Sequence, residues 1–295
     1  MTPQLHRDPQ TILREGAALI GLHLHAAQVG RLLALGEQIL AKNREINLTG
    51  ARDLPTLVSD HILDSLALIP LIRRFTIYPP QSEITETVGV QEARDLHEFL
   101  DSPLQNPKSK IQNQKSEIAQ EFHRPLLIDV GSGGGFPALP LAVVLEDNDF
   151  LCIESAAKKA RALESLCAAI GLRHVTILSD RAEHVGHNPR WREKADWATA
   201  RGIGCLATAC ELTLPFLRVG GVFLAQKGPD VQSELADAQF AITHLGGRVG
   251  DIVSVGPDRP HRRHIVVMIE KVSPTPAQFP RRPGLPAKRP LKDRG

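Results

Sequence analysis

A chain of 295 residues with 42% hydrophobic but only 4% aromatic side chains can bury a sizeable core, and that core must be aliphatic. The formal net charge of +2 hides an asymmetry: residues 271–295 carry seven Lys or Arg against one acid, +6, which leaves the rest of the chain at −4. No basic region followed by a sustained apolar run opens the chain, and Cys152, Cys167, Cys205 and Cys210 lack C-x-x-C spacing. Export, a membrane span, a disulfide frame and a metal site are therefore not expected, and the reading is a cytoplasmic protein with reduced, buried thiols.

In chain order, residues 1–75 read as a helical region. Leu32, Leu33, Leu35, Ile39 and Leu40 recur with helical spacing up to Lys42, and a second helix from Leu54 to Ile72 carries Leu57, Val58, Ile62, Leu66 and Ile69 on one stripe, with Asp53 and Pro55 as its start signal. Asn43 to Gly50 between them is a polar turn. Residues 76–124 lose this pattern. Within them Gln105 to Ile111 is repeated as Gln112 to Ile118 with identity at five of seven positions, and so few apolar side chains form neither a coiled-coil seam nor a core. This stretch is expected to be an inserted, disordered loop.

From 125 to 271 strands alternate with helices. Strands are expected at Leu126 to Val130, Phe150 to Glu154, His174 to Ser179, Asp196 to Ala200, Gly221 to Gln226, Arg248 to Val255 and Arg263 to Lys271. Helices are expected at Pro137 to Glu146, Ala156 to Ile170, Arg181 to His184, Cys205 to Leu217 and Ser233 to His244. Such alternation predicts a parallel sheet covered on both faces. Only Gly256 to His261 separates the last two strands, so they should form a hairpin that places one antiparallel strand in the sheet. Residues 272–295 form a basic tail whose prolines predict an extended, non-helical segment, either solvated or in contact with a polyanion.

The first strand runs into Gly131-Ser-Gly133-Gly-Gly135-Phe136, where glycines let the backbone turn tightly and approach a ligand. A dinucleotide fingerprint G-x-G-x-x-G needs a glycine where Phe136 stands. The G-x-G-x-G spacing, with Asp129 before it and Glu154 ending the next strand, instead resembles the S-adenosylmethionine (SAM) site of class I methyltransferases.

Several ordered blocks carry a narrower resemblance: Asn47-Leu-Thr49; His61-x-x-Asp64-Ser65-Leu66; Asp129 to Pro137 with Leu139-Pro-Leu-Ala142; Glu154-Ser155 with Lys158-Lys159; Arg181-Ala182-Glu183; Arg201; and Lys227-Gly228. Together they resemble the small-subunit ribosomal RNA methyltransferase G family, also called glucose-inhibited division protein B, over roughly residues 30 to 290 apart from the insertion. The resemblance implies a class I methyltransferase, Rossmann-like α/β fold with a mostly parallel seven-stranded sheet and one antiparallel strand. It further implies SAM as cofactor and methylation of N7 of a guanine in 16S rRNA, with the rRNA or small ribosomal subunit as partner. Three departures stand out: Gly134 and Ala138 stand in a loop that commonly reads Gly-Ala-Gly-Phe-Pro-Gly in relatives, Ala200-Arg-Gly202 replaces Ser-Arg-Ala, and the long insertion is unlike most relatives.

By this resemblance Gly131, Gly133, Gly135 and Phe136 approach the methionine end of SAM, Ser155 and Ala156 complete the turn after the second strand, and Ala182 and Glu183 line the adenine pocket. Glu154 is positioned to accept hydrogen bonds from both ribose hydroxyls. The plain alternatives are a helix-start acid for Glu154 and a solvated surface for Glu183. Arg201 follows the fourth strand on the carboxyl edge and could serve the SAM carboxylate or the target nucleotide, and Lys227, ending the fifth strand on the same edge, is a substrate-side candidate whose plain alternative is an ordinary strand-end lysine. His61 and Asp64 share a helix face, and with Asn47 and Ser65 they are substrate-side candidates. No general base is identified, because guanine N7 has a free lone pair. The competing readings are a methyltransferase acting on a protein or small molecule and a non-catalytic nucleotide-binding module.

Overall fold

The computed structural model describes residues 8–77, 124–228, 231–255 and 264–293; the repeat at 105–118 and the expected loop at 256–261 lie outside them. The chain starts with two helices, α1 (Pro9–Leu19) and α2 (Ala26–Asn43). Asp8 caps α1 by accepting from the Thr11 N–H, and Pro9 occupies the first turn, where a missing N–H costs nothing. α1 is a helix that apolar periodicity alone does not single out.

The second expected helix is broken into four pieces. These are α3 (Leu54–Leu57), a π turn (Val58–Ile62), α4 (Leu63–Leu66) and α5 (Ile69–Ile77). Pro70 lacks the N–H that would donate to the preceding turn, which accounts for the break before α5. The π turn holds one extra residue per turn and re-aims His61; such bulges concentrate at functional sites. The stretch Leu54–Arg74 is long and apolar enough to cross a membrane by length and composition, with 67% of that window buried inside the protein. It packs as the centre of the helical layer: Leu57, Ile62, Leu63 and Leu66 are fully or almost fully buried together with Leu13 and Leu35.

The sheet has seven strands, β1 (Leu126–Val130), β2 (Asp149–Ile153), β3 (Val175–Leu178), β4 (Ala195–Ala200), β5 (Leu217–Lys227), β6 (Gly247–Val255) and β7 (His264–Lys271), in the order β3-β2-β1-β4-β5-β7-β6. β7 pairs antiparallel with both β5 and β6, and the β1–β2, β1–β4, β2–β3 and β4–β5 pairs are parallel. The intervening helices are α6 (Ala138–Val144), α7 (Ala157–Ile170), α8 (Ala182–Val185), α9 (Leu206–Thr213) and α10 (Val231–His244).

Period-two alternation divides the strand residues between two cores. Leu127, Phe150, Cys152, Trp197, Leu224 and Met268 face the helical layer with α6 and α7, while Ile128, Leu151, Ala198, Phe223 and Val267 face α8, α9 and α10. β1 lies between β2 and β4, so the chain winds outward from β1 through β2 and β3 on one side and then crosses back to build β4 and β5 on the other. That reversal opens a crevice beyond the carboxyl ends of the strands, where open sheets place ligands. The cysteines are free; Cys152, Cys167 and Cys210 are buried and Cys205 is partly so. Burial pushes the Cys167 thiol up to about 12 and likewise raises the Cys152 and Cys210 thiols well above the ordinary cysteine range, which leaves all three protonated and unreactive.

The C-terminal segment corrects the expectation of an extended, non-helical tail. It folds across the second core, buries Phe279 and Pro286, and forms a short helix, α11 (Leu285–Lys288). Its backbone carbonyls are taken up: Arg192 donates to those of Thr275, Pro276 and Phe279, Thr208 to Pro286 at 3.0 Å, and the His187 ring to Pro280 at 2.7 Å. Arg281 meets Glu211, which is wholly buried, through a two-pronged contact at 2.8 and 2.6 Å. Proline-rich backbone has few donors, so docking it requires donors from the domain.

Candidate active site

The glycine loop follows directly from β1. Its residues Gly131, Gly133 and Gly135 have φ of 74°, 54° and 90°, a region L side chains rarely enter. A Cβ on Gly131 would come within 2.5 Å of Ile203 Cγ2, and one on Gly134 within 2.5 Å of the Leu48 carbonyl oxygen. The first contact keeps the loop against the turn after β4; the second lets the Asn43 to Thr49 turn press onto the loop. Gly134, one of the departures noted above, is thus required by packing of backbone on backbone.

Glu154 ties the loop to the end of β2. It is 7% exposed and accepts from the Gly133 N–H at 2.9 Å and the Ala156 N–H at 2.7 Å. Each carboxylate oxygen has two acceptor positions, so one on each remains for a further donor pair. Beneath the loop lies Asp129, 1% exposed, whose Oδ1 accepts from the Thr199 hydroxyl at 2.7 Å and whose Oδ2 has no partner. Burial raises its carboxyl to about 6 against the opposing hydrogen bonds and the nearby Arg201 charge. A buried, incompletely satisfied carboxylate under an open-backed loop suits a ligand carrying positive charge. SAM carries two, on its ammonium and its sulfonium, and a ribose diol to match Glu154, so the residues present fit that cofactor.

Opposite the loop, residues from the helical layer converge on Arg201. The guanidinium donates to Asp64 Oδ2 at 2.9 Å and to His61 Nδ1 at 3.2 Å. Because a guanidinium cannot accept, Nδ1 of His61 must be the acceptor and its Nε2 carries the proton given to Thr49 Oγ1 at 2.8 Å. Ser65 donates back to the His61 carbonyl at 2.6 Å, and Gln226 Nε2 donates to the Asp64 carbonyl at 3.2 Å. The Phe136 ring stacks on His61, centroids 4.9 Å apart and 25° between planes, and has the Arg201 guanidinium 5.4 Å from its centre. The loop phenylalanine and the helical layer therefore close the crevice together.

The structure brings most sequence candidates together but uses several differently. Lys227 donates to the Gly204 carbonyl at 2.9 Å and to Glu234 at 3.0 Å, so it braces the turn after β4. Glu183 is 6% exposed, not a solvated surface, and its carboxylate accepts from the Gly284 N–H at 2.7 Å, holding the C-terminal segment. Ala182 is buried beside it, while Ser155 and Ala156 are exposed at the crevice rim. Asn47 is exposed, and the turn it belongs to is tied by Asn43, whose side chain bonds Leu48 and Thr49. Asn43, Thr199 and Gln226 are contributors that motif spacing does not single out; only their polarity at the end of an apolar element marks them.

This crevice, with its loop, acidic partners and strand order, defines a class I, SAM-dependent methyltransferase. A family profile described as rRNA small subunit methyltransferase G (GidB) matches residues 89–266. The Ribosomal RNA small subunit methyltransferase G of Alkaliphilus oremlandii is 31% identical over 95% of this chain and 98% of its own length. That of Roseiflexus castenholzii is 35% identical over 92% and 95%. The chain belongs to the rRNA small subunit methyltransferase G family.

Proposed function

We propose that this chain methylates N7 of a guanine in 16S rRNA and acts in the cytoplasm on the small ribosomal subunit or its RNA. The observation that carries the reading is the convergence of the glycine loop, Glu154 and Asp129 on one side of the crevice with the Phe136–His61–Arg201–Asp64 cluster on the other. Bound SAM supplies a methyl group on a cationic sulfur, which a base nitrogen with a free lone pair can accept. Guanine N7 has such a lone pair, so no residue need remove a proton, and a cluster whose histidine is committed to Arg201 and Thr49 is compatible with that chemistry.

The protein's part is alignment and electrostatics. Gly131 and Gly133 bring backbone close to the methionine end, Glu154 orients the ribose, and Asp129 favours the cationic donor. Ala182, Ser155 and Ala156 border the adenosine. Phe136 and His61 wall the methyl-transfer side against water. Arg201 is held by Asp64 and His61 with three of its five N–H groups uncommitted among the described residues, enough to meet a carboxylate or the O6/N7 edge of guanine. Lys227, engaged with Glu234, shapes the turn that carries Ile203 and Gly204.

The test uses purified protein, methyl-labelled SAM and small ribosomal subunits or 16S rRNA, followed by chemical cleavage at 7-methylguanosine to map the product. One labelled guanine is expected. Label in protein or in no macromolecule would refute the reading.

A further inference from the structure

We propose that the folded C-terminal segment presents a docking row for RNA phosphates, formed by Arg282, Lys288, Arg289 and Lys292 and starting beside the cofactor crevice at Arg282 and Lys288; this rests on the rRNA reading above. Net charge alone does not identify the row, because the structure divides the segment's cations into two kinds. Lys271 is 1% exposed and donates to the Leu214 carbonyl at 2.8 Å, and Arg281 is locked to Glu211. These two fasten the segment and are unavailable to a partner. Arg282, Lys288, Arg289 and Lys292 are all exposed, and the ion pairs formed among the described residues, such as Lys271–Glu193 and Arg281–Glu211, involve none of them. The one acid within residues 281–293 is Asp293, and Asp237 of α10 lies beside Lys292.

Their position is set by the same anchors. Gly284 bonds Glu183, next to Ala182 at the end of β3. Pro286 at the start of α11 bonds Thr208, and Thr208 lies against Gly204, where a Cβ would be 3.5 Å from its Cγ2. Gly204 adjoins Ile203, which abuts Gly131 of the cofactor loop. Three contacts therefore link α11 to the loop, so Arg282 and Lys288, which flank Gly284 and Pro286, border the carboxyl edge of the sheet where the target base must enter, while Arg289, whose carbonyl accepts from Arg281, and Lys292, which lies over α10 beside Asp237 and Thr243, continue the row away from that edge. A basic, exposed row fits the RNA backbone, because phosphates lie at regular spacing and carry the sequence-independent part of the affinity. A small acidic metabolite would engage one or two of these cations, not a row.

The experiment compares the full-length protein with a variant carrying Arg282→Gln, Lys288→Gln, Arg289→Gln and Lys292→Gln. It measures affinity for transcribed 16S rRNA across a salt series, together with Tm and SAM affinity. If all four cations contact phosphates, the slope of log affinity against log salt should fall by about 3 units, from about 0.7 to 0.9 per contact, with Tm and SAM affinity at wild-type values. Should the fourfold variant not fold, the pair Lys288→Gln with Lys292→Gln should lower the slope by about half as much. A control pair, Arg14→Gln with Arg73→Gln, removes exposed cations from α1 and α5, which cover the opposite face. A control effect equal to that of the tail pair would overturn the proposed location. A wild type that methylates 16S rRNA while the variant keeps an unaltered slope would overturn the row and leave the functional reading intact. A wild type that neither binds nor methylates 16S rRNA would overturn both.

Discussion

Replacing Asp129 by asparagine should remove a pH dependence that the buried carboxylate imposes on the fold. Asp129 is 1% exposed and its carboxyl is raised from 3.8 to about 6, chiefly by burial. Between those two values the folded state holds more protons than the unfolded state, so stability falls as pH rises through the window and the loss is complete above about pH 7. A shift of about two units corresponds to about 3 kcal/mol, roughly half of it between pH 5 and pH 7.5. In the Asp129→Asn variant the amide oxygen can keep the Thr199 hydrogen bond while the group no longer ionises. Its amide nitrogen adds a fixed cost that does not depend on pH. The readout is therefore the change in the variant-minus-wild-type unfolding free energy between pH 5 and pH 7.5, from urea titrations. It should shift in favour of the variant by about 1.5 kcal/mol. A difference that stays constant over this range would refute the assignment. The same carboxylate should favour the cationic cofactor, so SAM affinity in the wild type should rise with pH through about 6 and be flatter in the variant.

Three further outcomes follow from particular contacts. Gly131→Ala should weaken SAM binding and lower Tm, since it combines a φ of 74° with a Cβ 2.5 Å from Ile203; adding Ile203→Ala should restore part of the stability, and no rescue would mean that backbone strain alone is responsible. Glu211→Ala leaves the Arg281 charge without its partner and should cost about 3 to 5 kcal/mol in denaturant unfolding, with a loss under about 1 kcal/mol counting against the anchoring role. Deleting residues 105–118, which lie outside the described structure, should change neither Tm nor methyl transfer appreciably, because loop-closure entropy varies slowly with length; a large fall in either would show that the segment packs or binds RNA.

What could be read in the chain was what local chemistry dictates. Short, nearly continuous apolar runs at Leu126 to Val130 and Phe150 to Ile153 signal strands buried on both faces of a parallel sheet, and the glycines at 131, 133 and 135 signal a turn because only glycine enters that φ region freely. The strand–helix alternation and the lone antiparallel strand followed from these, since each depends on neighbours a few residues apart, while the kind of cofactor came from the resemblance of the ordered blocks to a known family. The partners of charged groups did not. Arg201 finds Asp64 across 137 residues, Arg281 finds Glu211 across 70, and Gly284 finds Glu183 across 101. No local signal distinguishes a cation that will be buried against a carboxylate from one that will face solvent. For that reason composition described residues 271–295 as one uniform basic tail, whereas packing divided them into anchors at Lys271 and Arg281 and an exposed row from Arg282 to Lys292. The break before α5 has a local cause in Pro70, whereas the π turn was decided in three dimensions, where it aims His61 at Arg201 and Phe136, contacts that exist only once the helical layer has docked on the sheet.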